Sequence, residues 1–121
     1  MDRVIKSGAG WRLGWDPQGS KFKGLVGGDD WAIELTEVEL NDFCRLLEQL
    51  AQTMSLMADE LMDEEKIACE VESDLLWMQA EGDPTAYTVK LILNGGRRCE
   101  VFWEAVAVPG LLQGVQVLKV F

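Results

Sequence analysis

The sequence predicts an α+β fold of antiparallel strands, one long helix and a short C-terminal helix, arranged as a strands-then-helix unit that occurs twice. Three observations carry this. Short runs of alternating apolar and polar residues recur, bounded by Gly, Pro, Asn and Asp. From Thr36 onward the apolar spacing switches to that of a helix. Double-glycine turns at Gly27-Gly28 and Gly95-Gly96 lie 68 residues apart, each followed by an alternating strand and a helical pattern.

In the first half, Trp11, Leu13 and Trp15 share one face of a strand, with Arg12 and Gly14 on the other. Asp16-Pro17-Gln18-Gly19 signals a turn. Residues 21–26 read as a second strand, with Phe22, Gly24 and Val26 opposite Lys21, Lys23 and Leu25. Gly27-Gly28-Asp29-Asp30 turns the chain, and Trp31, Ile33 and Leu35 form the apolar side of a third strand.

Thr36 and Glu39 have the spacing of a capping box, in which each side chain accepts from the other residue's backbone N–H. Leu40, Phe43, Cys44, Leu47, Leu50, Ala51, Met54, Met57, Ala58 and Leu61 then follow at helical spacing. A helix over residues 36–63 is about 40 Å long. Met54, Met57 and Met62, with the off-stripe Leu56, read as core filling, the alternative being an adhesive partner surface. Asp63-Glu64-Glu65 reads as a solvated acidic loop and lacks calcium-loop spacing.

The second half opens on Ile67, Cys69 and Val71, alternating with Lys66, Glu70 and Glu72. Residues 75–81 form an apolar strand containing Trp77 and Met78, and Gly82-Asp83-Pro84 turns. Tyr87, Val89, Leu91 and Leu93 share a strand face. Asn94-Gly95-Gly96 makes a hairpin, because those residues tolerate positive φ, and Cys99, Val101 and Trp103 return inward. Pro109 suits the first turn of a helix, and Val108, Leu111, Leu112, Val115 and Leu118 have helical spacing, which Gly114 weakens. At the offset of 68, Trp31, Ile33 and Leu35 match Cys99, Val101 and Trp103, while Leu40, Phe43, Cys44 and Leu47 match Val108, Leu111, Leu112 and Val115. The expected order is three strands, a helix, four strands and a helix. Pseudo-twofold halves of residues 10–63 and 66–121 would form one domain over 1–121.

At 121 residues and 48% apolar content, the chain has the size and composition of one folded domain. No run approaches the roughly 20 apolar residues that span a bilayer, and residues 1–10 lack the apolar core of a signal peptide. A cytoplasmic protein is the expectation. Cys44, Cys69 and Cys99 fall on apolar faces, as buried free thiols do. There is no histidine, which removes the side chain best suited to proton transfer near neutral pH and excludes Ser–His and Cys–His nucleophile pairs. No phosphate-binding glycine motif and no zinc spacing occurs, so neither cofactor nor metal is expected. The net charge of −10 is uneven: residues 29–83 carry 17 acidic side chains against only Arg45 and Lys66. Such a field repels polyanions at long range.

Gly10-Trp11-Arg12-Leu13-Gly14-Trp15-Asp16, Trp31-Ala32-Ile33-Glu34-Leu35-Thr36 and Phe102-Trp103-Glu104-Ala105-Val106-Ala107-Val108-Pro109 give the chain a further likeness. Over nearly its whole length it resembles an uncharacterised cyanobacterial family. That family in turn resembles the single-stranded-DNA-binding fold of Whirly plant regulators and a human transcriptional coactivator. The resemblance implies strands-then-helix units packed about a twofold or pseudo-twofold axis. It also implies a basic groove with exposed aromatics, which the acidic middle of this chain departs from.

The leading functional expectation is therefore a non-enzymatic binding or regulatory module whose acidic surface meets a protein partner. The alternative is a weak single-stranded nucleic-acid binder using Arg12, Lys21 and Lys23 of the first hairpin with Lys90, Arg97 and Arg98 of the last, which the repeat would place equivalently. A carboxylate-based enzyme ranks last.

Overall fold

Antiparallel pairing builds two four-stranded meanders, one from each half of the chain, in the computed structural model, which describes residues 3–58 and 66–118. Strands β1 (Val4–Gly8), β2 (Trp11–Trp15), β3 (Gly24–Gly27) and β4 (Ala32–Leu35) lie side by side in that order. Helix α1 (Glu37–Met57) follows. Strands β5 (Ile67–Glu72), β6 (Leu76–Asp83), β7 (Ala86–Leu93) and β8 (Cys99–Trp103) form the second sheet. A 3₁₀ turn at Ala105–Ala107 leads into α2 (Val108–Leu118).

Four strands precede α1 where three are expected. The extra one, β1, pairs with β2 from Val4 opposite Trp15 to Gly8 opposite Trp11. Four of its five residues are exposed, so an edge strand of this kind has no buried face to impose alternation on the sequence. Its cue is the two-residue connection through Gly10, which adopts φ +83°. The second strand is shorter than residues 21–26 suggest. It begins at Gly24, and Lys21, Phe22 and Lys23 bow out of the ladder.

Alternation elsewhere matches burial. Leu76, Met78 and Ala80 of β6 and Tyr87, Val89, Leu91 and Leu93 of β7 point into the core. Trp11, Trp15 and Trp103 are buried, but Trp31 and Trp77 are only half-buried, so the tryptophans are not all core. The cysteines are free. Cys44 is buried, whereas Cys69 and Cys99 are half-buried because they lie on the outermost strands of their sheet.

The capping box forms as expected: the Glu39 N–H donates to Thr36 Oγ1 at 3.2 Å, and the Thr36 N–H donates to Glu39 Oε1 at 2.8 Å. Helix α1 buries Leu40, Phe43, Cys44, Leu46, Leu47, Leu50 and Met54. The expected continuation through Leu61, Met62 and Asp63-Glu64-Glu65 lies outside the described residues. Among the described residues no helix is long and apolar enough to cross a membrane.

The two helices exchange sheets. Helix α1 packs mainly on β5 and β6 of the second half, and α2 packs on β1 and β2 of the first. A single core of buried side chains therefore runs through both halves.

Candidate functional site

The six basic residues expected to form a nucleic-acid face do not gather at one place. Arg12 is turned to internal work. Its Nε donates to Gly28 O and its Nη2 to Trp31 O, both at 2.7 Å. Those bonds brace the turn between β3 and β4. Lys90 faces Glu100 across the β7–β8 ladder at 3.8 Å. Arg98 is exposed in the loop that closes that hairpin. Two of the six do meet: Arg97 lies over the Phe22 ring at 4.6 Å and Lys21 over the same ring at 5.4 Å. Arg97 also donates to Glu34 O at 2.7 Å and pairs with Glu39, the one charged residue buried among those described. Lys23 stands 3.9 Å from Glu37. The two hairpins thus touch, but Lys23 and Arg97 are matched by carboxylates of the β4–α1 junction, Lys90 by Glu100 and Arg12 by backbone carbonyls.

A different site lies where the two halves abut. A cleft of about 440 Å³ opens there. The first half supplies Asp29, Asp30 and Trp31 from the β3–β4 turn, and the second supplies Phe102 from the end of β8, then Glu104 and Val106. Its floor is aromatic: Trp31 and Trp103 lie 5.2 Å apart with their planes tilted by 55°. The Trp103 Nε1–H donates to Gly27 O at 2.9 Å, which fixes one half against the other beneath the cleft. Phe102 and Val106 are exposed at 46% and 74%, so the walls present apolar surface to solvent. Asp29, Asp30 and Glu104 are exposed, and among the described residues no cation lines the cleft.

The local sequence explains this geometry. Gly28 carries no Cβ because one would lie 2.5 Å from the Trp31 indole nitrogen. The ring is therefore folded back over its own turn, where Arg12 holds the backbone. Asp29 Oδ1 accepts from the Gly10 N–H at 3.1 Å, tying the β1–β2 connection to the same rim. Among the described residues no three His, Cys, Asp or Glu side chains gather as a metal site requires. The chemistry on offer is carboxylate charge beside aromatic faces, which suits an organic cation.

Sequence reasoning placed Asp29 and Asp30 in a turn and Trp31 and Trp103 on strand faces, without joining them. The available signal was an acid beside a tryptophan at two strand ends, Asp30-Trp31 and Trp103-Glu104. Only the packing of one half on the other brings those ends together.

Fold and cleft together describe a small two-sheet α+β protein with an acidic, aromatic seam between its two halves. The chain belongs to the family described as Domain of unknown function (DUF1818), whose pattern matches residues 6–118. A similar solved structure is described as a protein of unknown function from the DUF155 family of Prochlorococcus sp. NATL2A. It shares 28% identity at a TM-score of 0.90, over 96% of this chain and 98% of that one. No curated protein matches.

Proposed function

We propose that this chain is a non-enzymatic binding module whose acidic surface contacts a basic partner protein. One asymmetry supports the reading. Arg12, Lys23, Lys90 and Arg97 are engaged by carbonyls or carboxylates of the chain itself. Glu70, Glu72, Glu81, Asp30 and Glu104 are exposed and belong to no ion pair among the described residues. The pairs at 3.8–3.9 Å add little stability at such exposure, but they offset positive charge where a phosphate would need it. An acidic field with a complementary partner raises association rate and selects against polyanions. The test is affinity capture from the source cell with wild type and with a Glu70→Gln, Glu72→Gln, Glu81→Gln, Asp30→Asn, Glu104→Gln variant. Basic proteins are expected on wild type, lost from the variant and displaced by salt. Equal capture by both would remove the acidic surface from the account.

A second reading rests on the contact of Arg97 with Phe22 beside Lys21 and Lys23. This patch would hold single-stranded nucleic acid weakly, and the likeness to the Whirly-type single-strand-binding fold belongs with this reading. Fluorescence anisotropy with a labelled single strand at low salt decides it. Arg97 is a poor probe because it also pairs with Glu39, so the variant to compare is Lys21→Gln, Arg98→Gln. Wild-type binding in the roughly 10⁻⁴–10⁻⁶ M range that the variant loses would favour this reading. Absence of binding leaves the protein-partner reading standing.

A further inference from the structure

We propose that the cleft between the two halves is a socket for a single arginine side chain of the basic partner. The inference rests on the protein-partner reading and specifies its anchoring contact. Four features of the cleft converge on a guanidinium. Its volume of about 440 Å³ exceeds that of one extended side chain, so a side chain of a folded partner can enter while its backbone stays outside. Its walls carry Phe102 and Val106, apolar surface that the chain leaves uncovered, over a floor in which Trp31 is half-buried. Its rim carries Asp29, Asp30 and Glu104, with no cation among the described residues paired to them. Its frame is fixed before binding. Arg12 holds both Gly28 O and Trp31 O, Trp103 holds Gly27 O, and Asp29 is already tied to the Gly10 N–H.

Arginine fits this chemistry better than lysine. A guanidinium is planar and weakly hydrated, stacks on aromatic faces and forks onto carboxylates, whereas an ammonium holds its water more tightly. Asp30 and Glu104 stand on opposite halves and are the carboxylates left for the fork, since Asp29 is engaged with Gly10. Arginine is also, with tryptophan and tyrosine, among the side chains enriched at the energetic centres of protein interfaces.

The experiment uses three blocked peptides that differ at one position: acetyl-Gly-Arg-Gly-amide, its lysine form and its citrulline form, which keeps the shape of arginine without its charge. Each is titrated into the ¹⁵N-labelled full chain, and the indole and backbone N–H signals are followed. The arginine peptide is expected to shift the Trp31 indole and the amides of Asp30, Phe102 and Glu104 saturably. The lysine peptide should bind more weakly, and citrulline should leave the signals in place. Phe102→Ala, and separately Asp30→Asn with Glu104→Gln, should each weaken the arginine peptide about tenfold, as the loss of a partly desolvated cation–π or charge contact predicts. Asp74→Asn, in the β5–β6 turn and outside the cleft lining, should leave it unchanged. Shifts confined to residues outside the cleft, or equal shifts from citrulline, overturn the socket. Capture of basic proteins that survives the cleft variants but not Glu70→Gln with Glu72→Gln on the outer face of β5 overturns the socket and leaves the broader reading intact. Capture lost from neither variant set, with no peptide shifts, overturns both.

Discussion

The indole of Trp11 lies against α2 where that helix carries Gly110 and Gly114. A Cβ at Gly114 would sit 2.8 Å from Trp11 Cζ3 and 3.0 Å from Leu13 Cδ1, and one at Gly110 would sit 2.4 Å from Trp11 Nε1. Helix propensity alone says that Gly114→Ala gains about 1 kcal/mol. Overpacking a fixed aromatic costs about 1–3 kcal/mol, so the net change expected is a loss of stability. A lowered urea midpoint checks it, and a raised midpoint would mean that the indole moves aside freely. The burial of Trp11 was legible in the alternation of β2. The reason for the glycines was not, because it depends on a helix about a hundred positions further along the chain. Tyr87 offers a second test at this scale, being the only tyrosine. Burial raises its phenol above the ordinary value of 10.0 by desolvating the phenolate. Below that value both folded and unfolded chains keep the proton and the stability contribution is complete. Above it the unfolded chain loses its proton first, so stability falls as pH rises. An ultraviolet titration of the native protein should place tyrosinate formation above 10.0, and Tyr87→Phe should lessen the alkaline loss of stability. A native midpoint at or below 10.0 would refute the burial effect.

At the scale of elements, α1 was the most legible part of the chain. Its start is written in Thr36 and Glu39, and its stripe in residues three and four apart. The stripe omitted Leu46, which is nevertheless buried, because α1 touches β3 and β4 as well as lying across β5 and β6. A helix held between two sheets buries a wider arc than one lying on a single surface. Leu56, set apart from the stripe, is 70% exposed, while Met54 is fully buried. Leu47 sits at the centre of the arc with no exposure, so Leu47→Ala should cost about 2–5 kcal/mol in urea unfolding. A loss under about 1 kcal/mol would mean that the site collapses around the missing atoms. Strand β1 was the least legible, since an exposed edge strand makes few demands on its side chains. The basic hairpins were half legible. The repeat put the two hairpins in equivalent places, but charge counting could not foresee that Glu39, already the cap of α1, would receive Arg97.

The exchange of helices between sheets sets the behaviour of the whole molecule. Each helix covers the other half's sheet, so neither half can close its own core. Three further bonds cross the seam, from Trp103 to Gly27 O and from Arg97 to Glu34 O and Glu39. Two consequences follow from the same arrangement. The cleft exists only in the assembled molecule, since Asp30 and Trp31 come from one half and Phe102 and Glu104 from the other. Unfolding should also be a single cooperative event, as in most domains of this size. Gly114→Ala perturbs α2 against the first sheet, and Leu47→Ala perturbs α1 against the second. If the halves were independent, each variant would separate the two transitions in opposite order. With exchanged helices, tryptophan fluorescence and far-ultraviolet circular dichroism should trace one coincident urea transition in wild type and in both variants, with unchanged slope and a lower midpoint. Two resolved transitions in either variant would show that the halves fold separately, and that the seam forms only after each half has folded.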